Sequence, residues 1–421
     1  MLGIAVAATA IAVIAVPAAG LLGYRRLRRT AHAKRLRITS PYGIEESGFA
    51  RIGGIDQWIS IRGEDHRNPV ILELHGGPGA TNLIFASRTR AWERHFTVVR
   101  WDMRGAGKTF ARGGPDGQGD LSLQRLERDA LEVTQHIRAR LGVDKVVLLG
   151  CSFGSFIGLR LARNHPELYS AYVGTDQNIN AGGRDHTAYR ALLDRLGTAG
   201  KRKELAAVTA MGPDKSAWSV EDWSQYNKHT VGSDPLTFDT IKTVVVGSLL
   251  SSPLHSLREL PAYTKAMSFS QRVAPESATI DEWAEGATFA IPFFIFQGER
   301  DVITPPEPVR RFFNDVTAPV KDFALIQDAS HFASFRHPDQ FLDLMLAKVR
   351  PLLTRCSGWL QAGQLGDGPH DGQQRERVEQ VQGAEPDERD QKAGEHGAQN
   401  RPGVADQRAE AVGRWEQFDR D

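Results

Sequence analysis

The segment Val146-Val147-Leu148-Leu149-Gly150-Cys151-Ser152-Phe153-Gly154-Ser155 narrows the choice of fold more than any other part of the chain. An apolar run leads into Gly-x-Ser-x-Gly, and a mostly apolar helical stretch from Phe156 to Ala162 follows. Strand, sharp turn and helix in that order are the setting of a nucleophile elbow, which holds its central residue in strained backbone geometry. Gly150 and Gly154 carry no Cβ, so strand and helix can close around the turn. Ser152 would then stand at the carboxyl end of a central strand. The N–H of Phe153 would open the helix and face developing negative charge. Gly-x-Ser-x-Gly alone also occurs in ordinary loops, so the rest of the chain has to supply the partners.

The surrounding pattern is one of short apolar strands alternating with helices. Val70–Leu74 and Phe96–Trp101 read as strands, and Leu126, Ala130, Val133, Ile137 and Leu141 mark one face of a helix. Ile291–Phe296 and Phe323–Ile326 read as strands, Pro305–Asp315 and Pro338–Leu353 as helices. This alternation predicts an α/β fold with a mostly parallel central sheet flanked by helices. Ser47–Ile52 and Gln57–Arg62 alternate apolar and polar residues and predict an antiparallel edge pair turning at Gly53-Gly54. Between Asn178 and Gly286 strand signals thin out. Helical stretches such as Ala188–Leu196 and Lys203–Met211 dominate there, which predicts a helical cap at 178–286 inserted between core segments 45–177 and 287–355.

A net charge of +1 and the lack of a basic, aromatic-interleaved face argue against nucleic acid as a partner. Cys151 and Cys356 cannot build a disulfide framework, and no Cys/His cluster has zinc spacing, so neither metal nor cofactor is expected. Residues Leu2 to Gly23 carry no charge, about the length that crosses a bilayer as a helix, and Arg25, Arg26, Arg28, Arg29, Lys34, Arg35 and Arg37 follow. Charge on that side predicts an uncleaved anchor over 1–24, a basic linker over 25–44, the lipid bilayer as a partner and a cytoplasmic body. Val16-Pro17-Ala18-Ala19 leaves cleavage and secretion as the alternative. After Cys356 the chain turns to Gln, Glu, Asp, Arg and Gly, and residues 356–421 read as a disordered polar tail.

Acyl transfer needs a nucleophile, a base, a group that orients the base, and donors for the oxyanion. Ser152, Asp301 and His331 occur in that chain order, the latter two just past predicted strands. His331 is the candidate base, since imidazole titrates near neutrality. Asp301 is the candidate orienting acid, with Glu299 and Asp328 as rivals. His75-Gly76-Gly77-Pro78-Gly79 follows a strand, so the N–H of Gly77, then Gly76, joins Phe153 as a candidate oxyanion donor. His75 reads as a hydrogen-bonding residue of that loop, and Asp102 and Arg104 as a structural pair. Gly105-Ala106-Gly107-Lys108 lacks the spacing of a phosphate-binding loop.

HGGPG, WDMRGAGK, GCSFG, GERDVITP and ASHF together resemble the α/β-hydrolase superfamily, and within it the proline iminopeptidase (prolyl aminopeptidase) branch. The resemblance covers roughly residues 45 to 354. It implies a catalytic Ser152, Asp301 and His331, an oxyanion hole from Gly76, Gly77 and Phe153, and a helical cap. Cys151, Phe153 and Thr109 depart from the family's usual Gly, Trp and Ser. Peptidases of the branch hold the substrate's amino group with cap glutamates in a Trp-rich stretch. Ala217-Trp218-Ser219-Val220-Glu221-Asp222-Trp223 is loosely similar to it, so Glu221, Asp222 and Glu282 become candidate substrate-binding residues, each also readable as a solvated charge on the cap. The expectation is a serine hydrolase working through an acyl-enzyme on a small-molecule or short-peptide substrate, of iminopeptidase type. A carboxylesterase is the near alternative, and a non-catalytic membrane-tethered binding module the distant one.

Overall fold

The computed structural model describes residues 20–182 and 184–353. β1 (Ile44–Ile52) and β2 (Ile55–Gly63) form the expected hairpin around Gly53-Gly54. β3 (Val70–Leu74), β4 (Thr97–Asp102), β5 (Val146–Cys151), β6 (Tyr169–Thr175), β7 (Phe293–Gly298) and β8 (Lys321–Ile326) follow. All join one 8-stranded sheet in the order β1-β2-β4-β3-β5-β6-β7-β8. β1 and β2 run antiparallel to their neighbours and the remaining strands pair in parallel. The mostly parallel α/β sheet predicted from the alternation is therefore present.

Strand β5 explains why the sheet is covered on both sides. Every residue from Val146 to Cys151 is buried, as a central parallel strand requires. Successive side chains point to opposite faces. Val146 and Leu148 join one apolar cluster with Leu126, Val133 and Ile137 of α3 (Leu123–Leu141) and with Ile157 and Leu161 of α4 (Gly154–Asn164). Val147, Leu149 and Cys151 join the other, with Phe335, Phe341 and Met345 from the C-terminal helices. Ser122 caps α3 by accepting the N–H of Arg125 at 3.2 Å, and Gly142 ends it at φ 65°.

Charge is buried in this core as a network. Arg100 is 2% exposed and lies 3.2 Å from Glu73 and 3.4 Å from Glu93. Arg62 meets the same Glu93 at 3.2 Å and Glu45 at 2.7 Å. The expected Asp102–Arg104 pair is not formed. Asp102 accepts from Thr81 Oγ1 at 2.5 Å and from the N–H of Lys108 at 2.7 Å, whereas Arg104 reaches across to Asp129 at 2.8 Å. Two residues apart at a strand end, the side chains leave on different courses, so each meets a partner from another element.

Residues 20–36 form a helix, α1, that spans the end of the apolar stretch and most of the basic cluster. Its C-terminal end is tied to the body: Arg90 donates to the carbonyls of Arg35 at 3.0 Å and Arg37 at 3.1 Å. The expected bilayer anchor and membrane localisation need correction. Among the described residues no helix is long and apolar enough to cross a membrane. Arg25, Arg26, Arg28, Arg29 and Arg35 all fall within α1, and charge of that density is costly in hydrocarbon. Residues 1–19 and the tail expected over 356–421 lie outside the described residues.

Glu93 is shared between two buried guanidinium groups, so its loss takes one carboxylate from each and leaves Arg62 with Glu45 and Arg100 with Glu73. Glu93→Ala is expected to lower the unfolding free energy by about 3–5 kcal/mol. Urea denaturation at unchanged m-value measures this, and a shift below about 1 kcal/mol would mean that Glu45 and Glu73 suffice.

Candidate functional site

The turn at Ser152 is shaped by backbone crowding. A Cβ on Gly154 would lie 2.2 Å from the carbonyl oxygen of Leu74, so α4 can start only if that position is glycine. Ser152 itself sits at φ 49°, a left-handed conformation that a residue with a side chain adopts only when its surroundings hold it there. Those surroundings are specific. The N–H of Ser152 donates to Thr175 O at 3.1 Å, and its carbonyl accepts from Ser155 N at 2.8 Å and Ser155 Oγ at 2.6 Å. On the opposite side Gly76 packs directly on the serine, where a Cβ would come within 2.9 Å of Ser152 Cβ.

Three side chains from distant parts of the chain line up here. His331 Nε2 lies 3.0 Å from Ser152 Oγ, and His331 Nδ1 lies 2.8 Å from Asp301 Oδ2. Asp301 is fixed as well: Oδ1 accepts the N–H groups of Ile303 at 2.8 Å and Thr304 at 2.9 Å, and Oδ2 accepts Thr304 Oγ1 at 2.7 Å. The rival acids point elsewhere. Glu299 accepts from Asp328 N at 3.3 Å, and Asp328 is largely exposed, 3.8 Å from Arg300. Burial alone would push the imidazole of His331 down. The charges of Asp301 and Asp176, with the hydrogen bond to Asp301, outweigh it and hold the ring up at about 9.

His75 commits both ring nitrogens within its loop. Nδ1–H donates to Gly76 O at 2.8 Å and Nε2 accepts the N–H of Met103 at 3.1 Å, an arrangement that needs the neutral ring. Burial holds it neutral by lowering its pKa to about 4. Gly77 and Phe153 border a cavity of about 150 Å³ above Ser152. Gly76 does not border it and packs against Ser152. The cavity walls mix apolar side chains such as Phe156, Ile179 and Trp223 with two charges, Asp185 and Lys215. Lys215 Nζ stands 4.6 Å from the centroid of Tyr226.

None of the expected substrate-binding carboxylates, Glu221, Asp222 and Glu282, borders this cavity. Glu221 and Asp222 are committed locally. Asp222 closes a capping box with Ser219 at the start of the helix Val220–Ser233, and Glu221 on the same first turn is exposed and accepts from Gln225 at 2.7 Å. Glu282 is buried, 3.7 Å from Arg163. The acid that does face the cavity is Asp185, in the loop between β6 and α5 (Thr187–Thr198), where it accepts from Thr187 N at 2.8 Å and pairs with Arg311. No periodic or motif signal marks it in the sequence. Asp176, one residue beyond β6, was also missed. It accepts from Phe332 N at 3.1 Å and Ala333 N at 3.2 Å.

A model of the α/β hydrolase fold matches residues 69–338. The chain belongs to the α/β-hydrolase family. The probable aminopeptidase YbaC of Bacillus subtilis (strain 168) is 23% identical over 309 residues, 71% of this chain and 94% of that protein. A proline iminopeptidase of Clostridioides difficile (strain 630) is 32% identical over 130 residues, covering 30% of this chain and 41% of the relative. Within the family the chain thus resembles the proline iminopeptidase branch. A proline iminopeptidase-related protein of Thermus thermophilus, of known structure, aligns over 74% of this chain and 98% of its own, at 19% identity and a TM-score of 0.49.

The position of Glu282 has a consequence for stability. Burial, with Glu285 nearby, raises its carboxyl to about 8 from an ordinary 4.5, against the pull of Arg163 and Arg160. The unfolded chain gives up this proton first, so stability drains as pH rises from about 4.5 towards 8. Glu282→Gln removes the penalty. Its melting temperature is expected to exceed the wild type by about 2–4 °C or more at pH 8 and to match it near pH 4.5, read by thermal scans across pH.

Proposed function

We propose that the protein is a serine hydrolase in which Ser152, His331 and Asp301 form the catalytic triad, and that it acts as an aminopeptidase on short substrates with a small N-terminal residue. The relay carries the reading: 3.0 Å from Ser152 Oγ to His331 Nε2 and 2.8 Å from His331 Nδ1 to Asp301, at a strained serine facing a cavity. In this reading Ser152 Oγ attacks the carbonyl carbon while Nε2 takes its proton, and Asp301 stabilises the resulting imidazolium. Negative charge on the carbonyl oxygen is met by the N–H groups of Gly77 and Phe153. The imidazolium returns its proton to the leaving amine as the C–N bond breaks. Water, deprotonated by the same ring, then cleaves the acyl-enzyme and restores Ser152.

Asp185 supports the aminopeptidase over the esterase. It puts a carboxylate on the wall of the cavity, where a substrate ammonium could dock. Burial by itself would raise that carboxyl, but hydrogen bonds with Thr187 and the charge of Arg311 outweigh it and hold the group below its ordinary value. The names of the relatives point the same way.

Turnover of prolyl-p-nitroanilide and of p-nitrophenyl butyrate, with Ser152→Ala as control, tests the reading. Ser152→Ala is expected to lower kcat roughly ten-thousand-fold or more. Asp185→Asn is expected to raise KM for the anilide about tenfold or more and leave the ester nearly untouched. Turnover of the ester alone would sink the peptidase, and failure of a fluorophosphonate to label Ser152 would sink the hydrolase. Only the neutral imidazole accepts the proton, so with the ring held at about 9 kcat/KM is expected to fall about tenfold per pH unit below that value.

A further inference from the structure

We infer that Asp176 is a positioning residue for the same reaction: it holds the loop that carries His331 in place and gives the imidazolium a second carboxylate besides Asp301. The inference rests on the triad reading above. Asp176 is 1% exposed and follows directly on β6, the strand paired with β5, which ends just before Ser152. It sits at φ 50°, and Phe332, whose N–H it accepts, at φ 66°. Two left-handed residues with side chains thus face each other across one contact, a geometry that persists only where the surroundings enforce it.

The chemistry of the contact calls for a carboxylate. Its two oxygens each receive a different backbone N–H, from Phe332 and from Ala333, the two residues that follow His331. An asparagine offers one oxygen and turns its NH₂ towards the second donor, so it cannot satisfy both. One oxygen each of Asp176 and Asp301 and a ring nitrogen of His331 all lie within 4.8 Å of one another. Two like charges buried so close are costly unless a positive charge sits among them, and the imidazolium formed during serine attack is that charge.

The other groups around the ring leave it to these two acids. Asp301 approaches from the loop after β7 and Asp176 from the end of β6. Near Asp176 stands the buried thiol of Cys151, kept neutral because burial raises its pKa, and next to that thiol Glu73, which is paired with Arg100. Burial pushes Asp176 itself up to about 6, with Asp301 adding to the rise and the charge of His331 opposing it.

A purely structural Asp176 would matter through its hydrogen bonds, whereas the proposed role also needs its charge. The test uses the full chain with ¹⁵N-labelled histidine, the His331 Nδ1–H resonance being assigned by its loss in His331→Gln. In Asp176→Asn the ring pKa is expected to fall by about one unit, kcat about tenfold with KM within about twofold, and the acid limb of kcat/KM to move down by the same unit. Asp176→Ala should lower the ring pKa likewise. Should both variants fail to fold, the wild-type resonance itself decides: it should show a second inflection near pH 6 from Asp176. A folded Asp176→Asn with unchanged ring pKa and acid limb, or a wild-type titration with a single step, overturns the proposal. A lowered ring pKa in a protein that no fluorophosphonate labels upholds Asp176 and rejects the hydrolase.

Discussion

The approach of α4 to the end of β3 is the contact on which the site depends. With 2.2 Å between a hypothetical Cβ on Gly154 and the carbonyl oxygen of Leu74, no other residue lets the helix begin there. That proximity forces the chain to reverse within Cys151-Ser152-Phe153 and leaves Ser152 at φ 49°. A backbone bent this way is unfavourable by itself, about 1–3 kcal/mol. It is held by the flanking strands, β3 and β6, whose residues are almost all buried. The sheet core is therefore a condition of the site's geometry, because a looser one would let the turn relax and take Ser152 out of reach of His331.

The elements legible in the sequence were those whose signal is local. β5 is apolar throughout because both its faces are covered, and α3 shows its stripe because one face is not. Ser152, Asp301 and His331 could be picked out since each follows a strand in a parallel sheet, whose carboxyl ends converge. Strand limits were less legible: β7 begins at Phe293 and not at Ile291, because pairing with β6 starts only at Phe293. In the cap, Glu221, Asp222 and Glu282 stand close to tryptophans in sequence. Where each side chain points is set by helix starts and packing, which no local pattern records. Asp222 is the last residue of Ser-x-x-Asp, a capping box.

Asp176 and Asp185 show what such reading misses. Both lie in the connection between β6 and α5, where neither period 2 nor period 3.6 applies. Their partners are remote in sequence: Asp176 meets Phe332 and Ala333, and Asp185 pairs with Arg311. Residues placed by long-range contacts of this kind become visible only once the sheet order is known, since it is the adjacency of β6 and β7 that brings them to the site.

The electrostatics of the site follow from burial. A histidine surrounded by protein would lose its proton readily, as His75 does with a pKa lowered to about 4. His331, equally enclosed, is held at about 9. The difference lies in the neighbours: His75 has backbone partners alone, and His331 has two carboxylates. Enclosure strengthens whatever charge stands next to the ring, since little water is present to screen it. One sheet thus holds two buried imidazoles pushed in opposite directions, one kept neutral to shape a loop and the other held towards the cation beside Ser152.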